Sequence, residues 1–337
     1  MKYTYLLYKT YVFYIDWRLS FIHKLSLLYR TFVPRSNQHY GLQLKKIDGD
    51  EKTTKVDSYW GGHTVRSIPF VTAWESKQYF KWLIAYHPLL DEFMDFYKSR
   101  EGQVILDYGC GPGNDLFRFL VINNAEKVIG MDISERALRC ARQRLALHNI
   151  NPQRIELIRI NDSSQRLPIA DGTIDHVNCM GVLMHTSSPQ VILNEFFRVL
   201  KKILLVIMVY NYDSVWLHLY TAYELMILRG KFSNKGINEA FSKNVDGENC
   251  PIARCYRPEE FIAMCNLAGL KADFVGGYLS TAELYCYKKF KNKALQDSRL
   301  ANEHKKFLNN LTEDKRGYPM YNGKYAGVGG VYKLYKG

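Results

Sequence analysis

The sequence predicts an α/β fold built on a parallel, doubly wound sheet with helical cap insertions. Three observations predict it. Short apolar runs alternate with helical patterns from about residue 104 to 210. Each run ends in acids, glycines or small polar residues, which places polar chemistry at one end of the sheet. The chain has 337 residues, 47% hydrophobic and 23% charged, the composition of a folded protein with room for one large core and additions.

The elements follow in order. Val104, Ile105 and Leu106 lead into Asp107-Tyr108-Gly109-Cys110-Gly111-Pro112-Gly113-Asn114. Consecutive apolar residues before a glycine-rich turn predict a buried parallel strand. The glycines let the backbone turn sharply and approach a ligand, and residues 115–120 open a helix whose free N–H groups face it. Residues 127–132 predict a second strand ending at Asp132. Ser134 is an N-cap for a helix reaching about His148, with Ala137, Leu138, Ala141 and Leu145 on one face. A third strand, 155–160, ends at Asn161-Asp162-Ser163, and a fourth, 174–179, at Met180-Gly181. A helix over 189–200 leads to a very apolar fifth strand, 204–210. A ligand belongs outside the carboxyl ends of these strands.

The glycine turn admits two ligands. A dinucleotide site carries G-x-G-x-x-G. This chain has G-x-G-x-G, with an acid two residues ahead of Gly109. A carboxylate there suits the ammonium of a methionine moiety better than a pyrophosphate. The run resembles motif I of the class I S-adenosylmethionine (SAM)-dependent methyltransferases. Residues 165–185 (QRLPIADGTIDHVNCMGVLMH) resemble a stretch of the small-molecule branch of that family.

The resemblance covers roughly residues 100–210, with a looser tail, and implies a Rossmann-like seven-stranded sheet whose last strand is antiparallel. It implies SAM as cofactor and S-adenosyl-L-homocysteine as product. Asp107, Gly109, Gly111 and Gly113 would surround the methionine part. Asp132 would accept from the ribose hydroxyls, with Ile133 against the adenine, and Asp162 and Ser163 would meet the adenine amino group. Plainer roles stand beside these. Asp132 also suits a helix N-terminus, and Asp162 and Ser163 suit a cap or turn. The chain departs from the family at 198–204, Arg-Val-Leu-Lys-Lys-Ile-Leu, where a Pro-Gly-Gly turn is usual, and at Met184, where a second His is common.

Lysine and arginine exceed acids by 46 − 33 = +13, which raises nucleic acid as a partner. The basic residues are scattered, however. Asn178-Cys179-Met180-Gly181 lacks the Asn/Asp-Pro-Pro-aromatic turn of the methyltransferases that act on exocyclic base amines. The seven cysteines form no C-x-x-C pair; zinc is not expected, and the odd count suggests a reducing, cytoplasmic setting.

Residues 1–57 are expected to form a basic, aromatic extension and linker, and 58–337 the catalytic domain. Its core would take about 100–210 and 258–337, with caps at about 58–98, 211–257 and 277–325. Tyr3, Leu7, Tyr11, Tyr14, Trp17, Phe21, Leu25, Leu28 and Phe32 form a helical stripe. It would pack on the domain or lie on an anionic membrane; it is too interrupted by charge to span one. Residues 34–57 read as a polar linker. A helix begins at Pro258, a sixth strand takes 271–275, a helical insertion about 281–311, and 330–335 supplies the seventh strand.

Methyl transfer from SAM needs in-line alignment and exclusion of water, plus a base where the acceptor is a neutral hydroxyl. His185, just after the fourth strand, and His63, in the first cap, are the candidate bases; each also suits a structural hydrogen bond. Tyr210 and Asn211 are placed to orient the acceptor. The sequence points to O-methylation of a small-molecule, saccharide or lipid-like acceptor. An RNA- or protein-directed enzyme, and a SAM-binding protein without transfer activity, are the alternatives.

Overall fold

A computed structural model describes residues 44–46, 53–64, 70–201 and 203–336. The aromatic stripe of residues 1–33 and most of the expected linker lie outside the described residues.

The strands are β1 (Leu44–Lys46), β2 (Val104–Tyr108), β3 (Lys127–Asp132), β4 (Ile155–Arg159), β5 (His176–Met180), β6 (Ile203–Asn211), β7 (Cys255–Tyr256), β8 (Leu270–Tyr278), β9 (Thr312–Glu313), β10 (Pro319–Tyr321), β11 (Lys324–Tyr325) and β12 (Gly329–Lys336). The main sheet runs β1-β4-β3-β2-β5-β6-β12-β8, with β7 beside β6; β9, β10 and β11 form a small separate sheet. β12 lies antiparallel between β6 and β8, and the strands from β4 through β6 pair in parallel. This is the expected seven-stranded Rossmann-like sheet, extended by the short strands β1 and β7.

The helices are α1 (Lys55–Gly62), α2 (Ala73–Tyr86), α3 (Leu90–Phe93), α4 (Asn114–Phe117, continued by a wider turn over Arg118–Ile122), α5 (Glu135–Leu147), α6 (Pro189–Val199), α7 (Trp216–Leu228, π-wound), α8 (Ile237–Val245), α9 (Pro258–Leu267), α10 (Thr281–Gln296) and α11 (Asn302–Asn309). The face of α5 expected to be apolar is the one that is buried: Ala137, Leu138, Ala141 and Leu145. These residues pack with Leu116 and Phe119 against Ile105, Val128 and Leu157 on one face of the sheet. The larger core lies around the rest of the sheet and joins α6, α9 and α10 to it.

The chain builds outward from β2 through β3 to β4, then returns to lay β5 on the other side of β2. That reversal opens a crevice beyond the carboxyl ends of β2 and β5, where ligands of such sheets bind. The register sets Asp107 of β2 opposite Asn178 of β5.

Three differences from the sequence reading have physical causes. Residues 44–46 are not linker but an edge strand, parallel to β4, with Leu44 opposite Leu157. Three residues, two of them lysine, carry no period by which to see a strand. Strand β8 runs three residues beyond the expected end, through Gly276 and Gly277. A β-carbon on Gly277 would sit 2.1 Å from the Gly327 carbonyl, so glycine here marks close backbone approach rather than a strand end. The missing Pro-Gly-Gly turn is replaced by a bridge. Leu200 pairs with Ile174, the Lys201 N–H donates to the Ile174 carbonyl at 2.8 Å, and Arg198 binds the Leu167 and Ile169 carbonyls.

Candidate active site

The glycine turn takes the conformation its sequence requires. Gly109, Gly111 and Gly113 have φ of +74°, +53° and +84°, a region costly for residues with a β-carbon. Their surroundings differ. A β-carbon on Gly109 would strike Val182 at 2.1 Å, and one on Gly113 would press Ala141 at 3.0 Å. One on Gly111 would meet nothing within 4 Å. Gly109 and Gly113 are therefore glycines for packing, and Gly111 faces open space.

Asp107 is 2% exposed. Its Oδ1 accepts from the Asn178 side chain at 2.8 Å, while its Oδ2 is buried with no partner. Burial, then nearby Asp115, hold this carboxyl well above the usual carboxylate range. An unpaired buried carboxylate oxygen is costly unless a donor or cation completes it. Behind it, Arg118 is 1% exposed, binds Asp115 at 2.8 Å and approaches the Asn178 oxygen at 3.4 Å. Asn178 thus links Arg118 to Asp107. In the sequence, Asn178 stands out only as part of a turn that lacks Pro-Pro; its role depends on lying opposite Asp107 across the sheet.

Asp132 braces the glycine turn. Its two oxygens accept the N–H groups of Gly111 and Ser134, each at 2.8 Å, and burial raises its pKa. Each oxygen keeps a lone pair for a further donor. Ile133 beside it is half-buried against the core edge. The Asp162 carboxylate accepts the Ser187 N–H at 2.9 Å and the Ser187 hydroxyl, and Ser163 is exposed. The Asp162 N–H donates to Asp57 of α1 at 2.8 Å, so the first cap is fastened to this loop.

A second cluster gathers beyond the carboxyl ends of β5 and β6. His185 follows β5 and is 5% exposed. Its Nδ1 lies 2.7 Å from the Ile252 carbonyl and must carry the proton, leaving the Nε2 lone pair free. Nε2 lies 3.4 Å from Oδ2 of Asp246. That oxygen also accepts the Tyr210 hydroxyl at 2.7 Å, and the Asp246 carbonyl accepts the Tyr59 hydroxyl. Burial holds the His185 pKa below its ordinary value, with Asp246 opposing, so the ring is neutral near pH 7. Trp60 packs on the imidazole with ring centres 4.8 Å apart, and its indole N–H is buried without a partner. Cys250 is buried with Sγ 4.0 Å from Nδ1 of His185.

The structure thus brings His185 together with Tyr210, as the sequence suggested, and adds Asp246, Cys250, Tyr59 and Trp60 from the two caps. His63 does not touch His185. It caps the end of α1, is exposed, and stacks on Tyr59 at 4.1 Å. Asn211 is buried, its side chain donating to the Asp213 and Gly327 carbonyls, which fixes the chain after β6.

Residues 99–251 match a family described as "Methyltransferase domain". A ubiquinone biosynthesis O-methyltransferase of Neisseria meningitidis serogroup C is 29% identical over 199 residues, which covers 58% of this chain and 76% of that protein. A ubiquinone/menaquinone biosynthesis C-methyltransferase of Roseobacter denitrificans is 32% identical over 119 residues, covering 35% and 46%. Among solved structures, the YcgJ protein of Bacillus subtilis aligns over 73% of this chain and 97% of its own, with 17% identity and a TM-score of 0.45.

Proposed function

We propose that the chain is a class I SAM-dependent methyltransferase, as the match of residues 99–251 to a methyltransferase domain supports, and that it methylates an oxygen of a small-molecule acceptor, with His185 as the general base. The observation that carries this reading is the fixed, neutral imidazole whose Nε2 lone pair faces Asp246 and Tyr210 beneath an aromatic cap. The family's SAM fits the residues present. The Asp107 oxygen without a partner suits its ammonium, and the open space at Gly111 admits its methionine part. Asp132 and Ile133 would hold the ribose and adenine; the Asp162–Ser163 loop would border the adenine. When bound, SAM supplies a methyl group on a positively charged sulfur, which departs as neutral S-adenosyl-L-homocysteine.

The rest of the chemistry belongs to this chain. The acceptor hydroxyl gives its proton to Nε2 of His185, and its oxygen forms the new bond to carbon. Asp246 stabilises the imidazolium that results. Trp60 offers its unpaired indole N–H to the acceptor; Tyr59 and Tyr210 would flank the acceptor and keep water out, with Phe241 packed behind Tyr210. His63 supports the wall by stacking on Tyr59. Two of the relatives carry names of enzymes of ubiquinone synthesis, one an O- and one a C-methyltransferase, which supports a small acceptor. Replacing His185 by glutamine tests the base: turnover should fall about 100-fold or more while SAM affinity holds. Full activity in that variant would remove the role.

A further inference from the structure

The geometry points to a transition-metal site in the acceptor pocket, with His185 Nε2, Asp246 Oδ2 and Cys250 Sγ as ligands and a divalent cation of the zinc class as occupant. The inference starts from a mismatch. Nε2 of His185 and Oδ2 of Asp246 face each other at 3.4 Å. With Nδ1 committed to the Ile252 carbonyl, both facing atoms are acceptors. A proton shared between them would draw them to about 2.7–2.9 Å. Two ligands of one tetrahedral zinc, at about 2.0–2.2 Å each, lie about 3.4 Å apart. The separation is that of a metal-ligand pair.

The surroundings have the form that such a pair takes. A histidine ligand almost always donates its other ring N–H to a carbonyl or carboxylate, and His185 does so to Ile252 at 2.7 Å. A ligating carboxylate is held by a hydrogen bond, and Tyr210 donates one to Asp246 at 2.7 Å. The third ligand is close: Cys250 Sγ lies 4.0 Å from Nδ1 of His185, and candidate ligand atoms of the three residues all lie within 4.8 Å of one another, so Sγ must turn toward Nε2 to join the metal. The side chains of His185 and Asp246 are only 6% and 11% exposed, so the site is largely shielded.

One nitrogen, one oxygen and one sulfur suit zinc and its neighbours, not magnesium or calcium, which take oxygen alone. Three protein ligands leave the fourth position open, the pattern of zinc sites that accept an exogenous ligand. Binding would exchange the Cys250 thiol proton, now shared with the Ile252 carbonyl at 3.3 Å, for the metal, releasing one proton to solvent. The sequence alone gives no reason to expect zinc, because it has no C-x-x-C pair. These ligands come instead from the turn after β5 and from the cap between α8 and β7, so no short spacing displays them.

Zinc on Nε2 would occupy the lone pair that the proposed base uses, so the zinc-loaded protein would be the inactive form and the metal-free protein the active one; the test of the site needs neither SAM nor acceptor. The full-length protein is stripped with a chelator and titrated with Zn2+ against a chromogenic competitor, and bound metal is counted by elemental analysis. One zinc per chain is expected, with affinity falling at least 100-fold in Asp246→Asn and in Cys250→Ser. Cobalt in place of zinc should show a thiolate charge-transfer band that Cys250→Ser lacks, and Cys140→Ser should behave as wild type. Circular dichroism and SAM binding show that each variant is folded. No tight zinc in the wild-type protein, or equal binding in both ligand variants, would overturn the site. Loss of activity in His185→Gln with zinc still absent from wild type would leave the base standing and remove the metal alone.

Discussion

Replacing Asp107 by asparagine should weaken SAM binding and stabilise the ligand-free protein at the same time. The variant keeps the side-chain shape and an oxygen to accept from Asn178 at 2.8 Å. It removes the charge from a group that is 2% exposed and has one oxygen without a partner. In the complex, that oxygen is assigned to the cofactor's ammonium. Losing a buried charge-assisted contact costs about 2–3 kcal/mol, or about 30- to 150-fold in affinity at 1.4 kcal/mol per tenfold. The sign reverses without ligand. Burial raises the Asp107 pKa, so its contribution to stability is full below the unfolded carboxylate value and is lost as pH rises through the folded value. At neutral pH the wild-type carboxylate is therefore a burden that asparagine lifts. Calorimetric titration with SAM, together with thermal melts with and without it, reads both effects. A higher melting temperature for the free variant and a smaller shift on adding SAM are expected. Unchanged SAM affinity would refute the assignment of Asp107.

Other perturbations separate the parts of the site. Asp132→Ala should lose about 2–3 kcal/mol of SAM binding and also some fold stability, because the same carboxylate holds the N–H groups of Gly111 and Ser134; calorimetry and melting must both respond. Gly109→Ala should destabilise the protein more than Gly111→Ala, since only the former meets Val182 at 2.1 Å, whereas Gly111→Ala should act chiefly on SAM affinity; equal melting temperatures would contradict this. Acid should loosen the junction of α7 and α11, where His218 and His304 meet at 2.9 Å. Burial, then His304, push the His218 pKa down to about 2, so its stabilising effect is full above the unfolded value near 6.5 and is lost as pH falls below that, at up to about 1.4 kcal/mol per pH unit. Denaturation of wild type and His218→Phe between pH 7 and about 5 should show the steeper loss in wild type.

The parts of the protein legible in sequence are those encoded by local pattern. Apolar runs ending in acids gave the strands near their observed bounds, and the apolar face of α5 emerged as the buried one. Gly111 was legible because a turn with φ of +53° favours glycine. What escaped depends on partners distant in the chain. Asn178 acquires its role only by lying opposite Asp107 across the sheet's reversal. Asp246 and Cys250 sit in a cap with no motif of its own, and only the folded chain brings them to His185. His63 stands out in sequence by residue type and position; in the structure its ring stacks on Tyr59 and its Nδ1 meets the Tyr59 carbonyl. Strand β1 was too short and too basic to show a period.

The central proposal is that this chain uses His185 to transfer a methyl group from SAM to a small-molecule oxygen. The most direct measurement is incubation of the purified protein with methyl-labelled SAM and a cell extract separated by size. The account predicts label in the low-mass fraction, as a methyl ether or ester, and its loss with His185→Gln. Label confined to RNA or protein, or on nitrogen or carbon of a small molecule independently of His185, would contradict it.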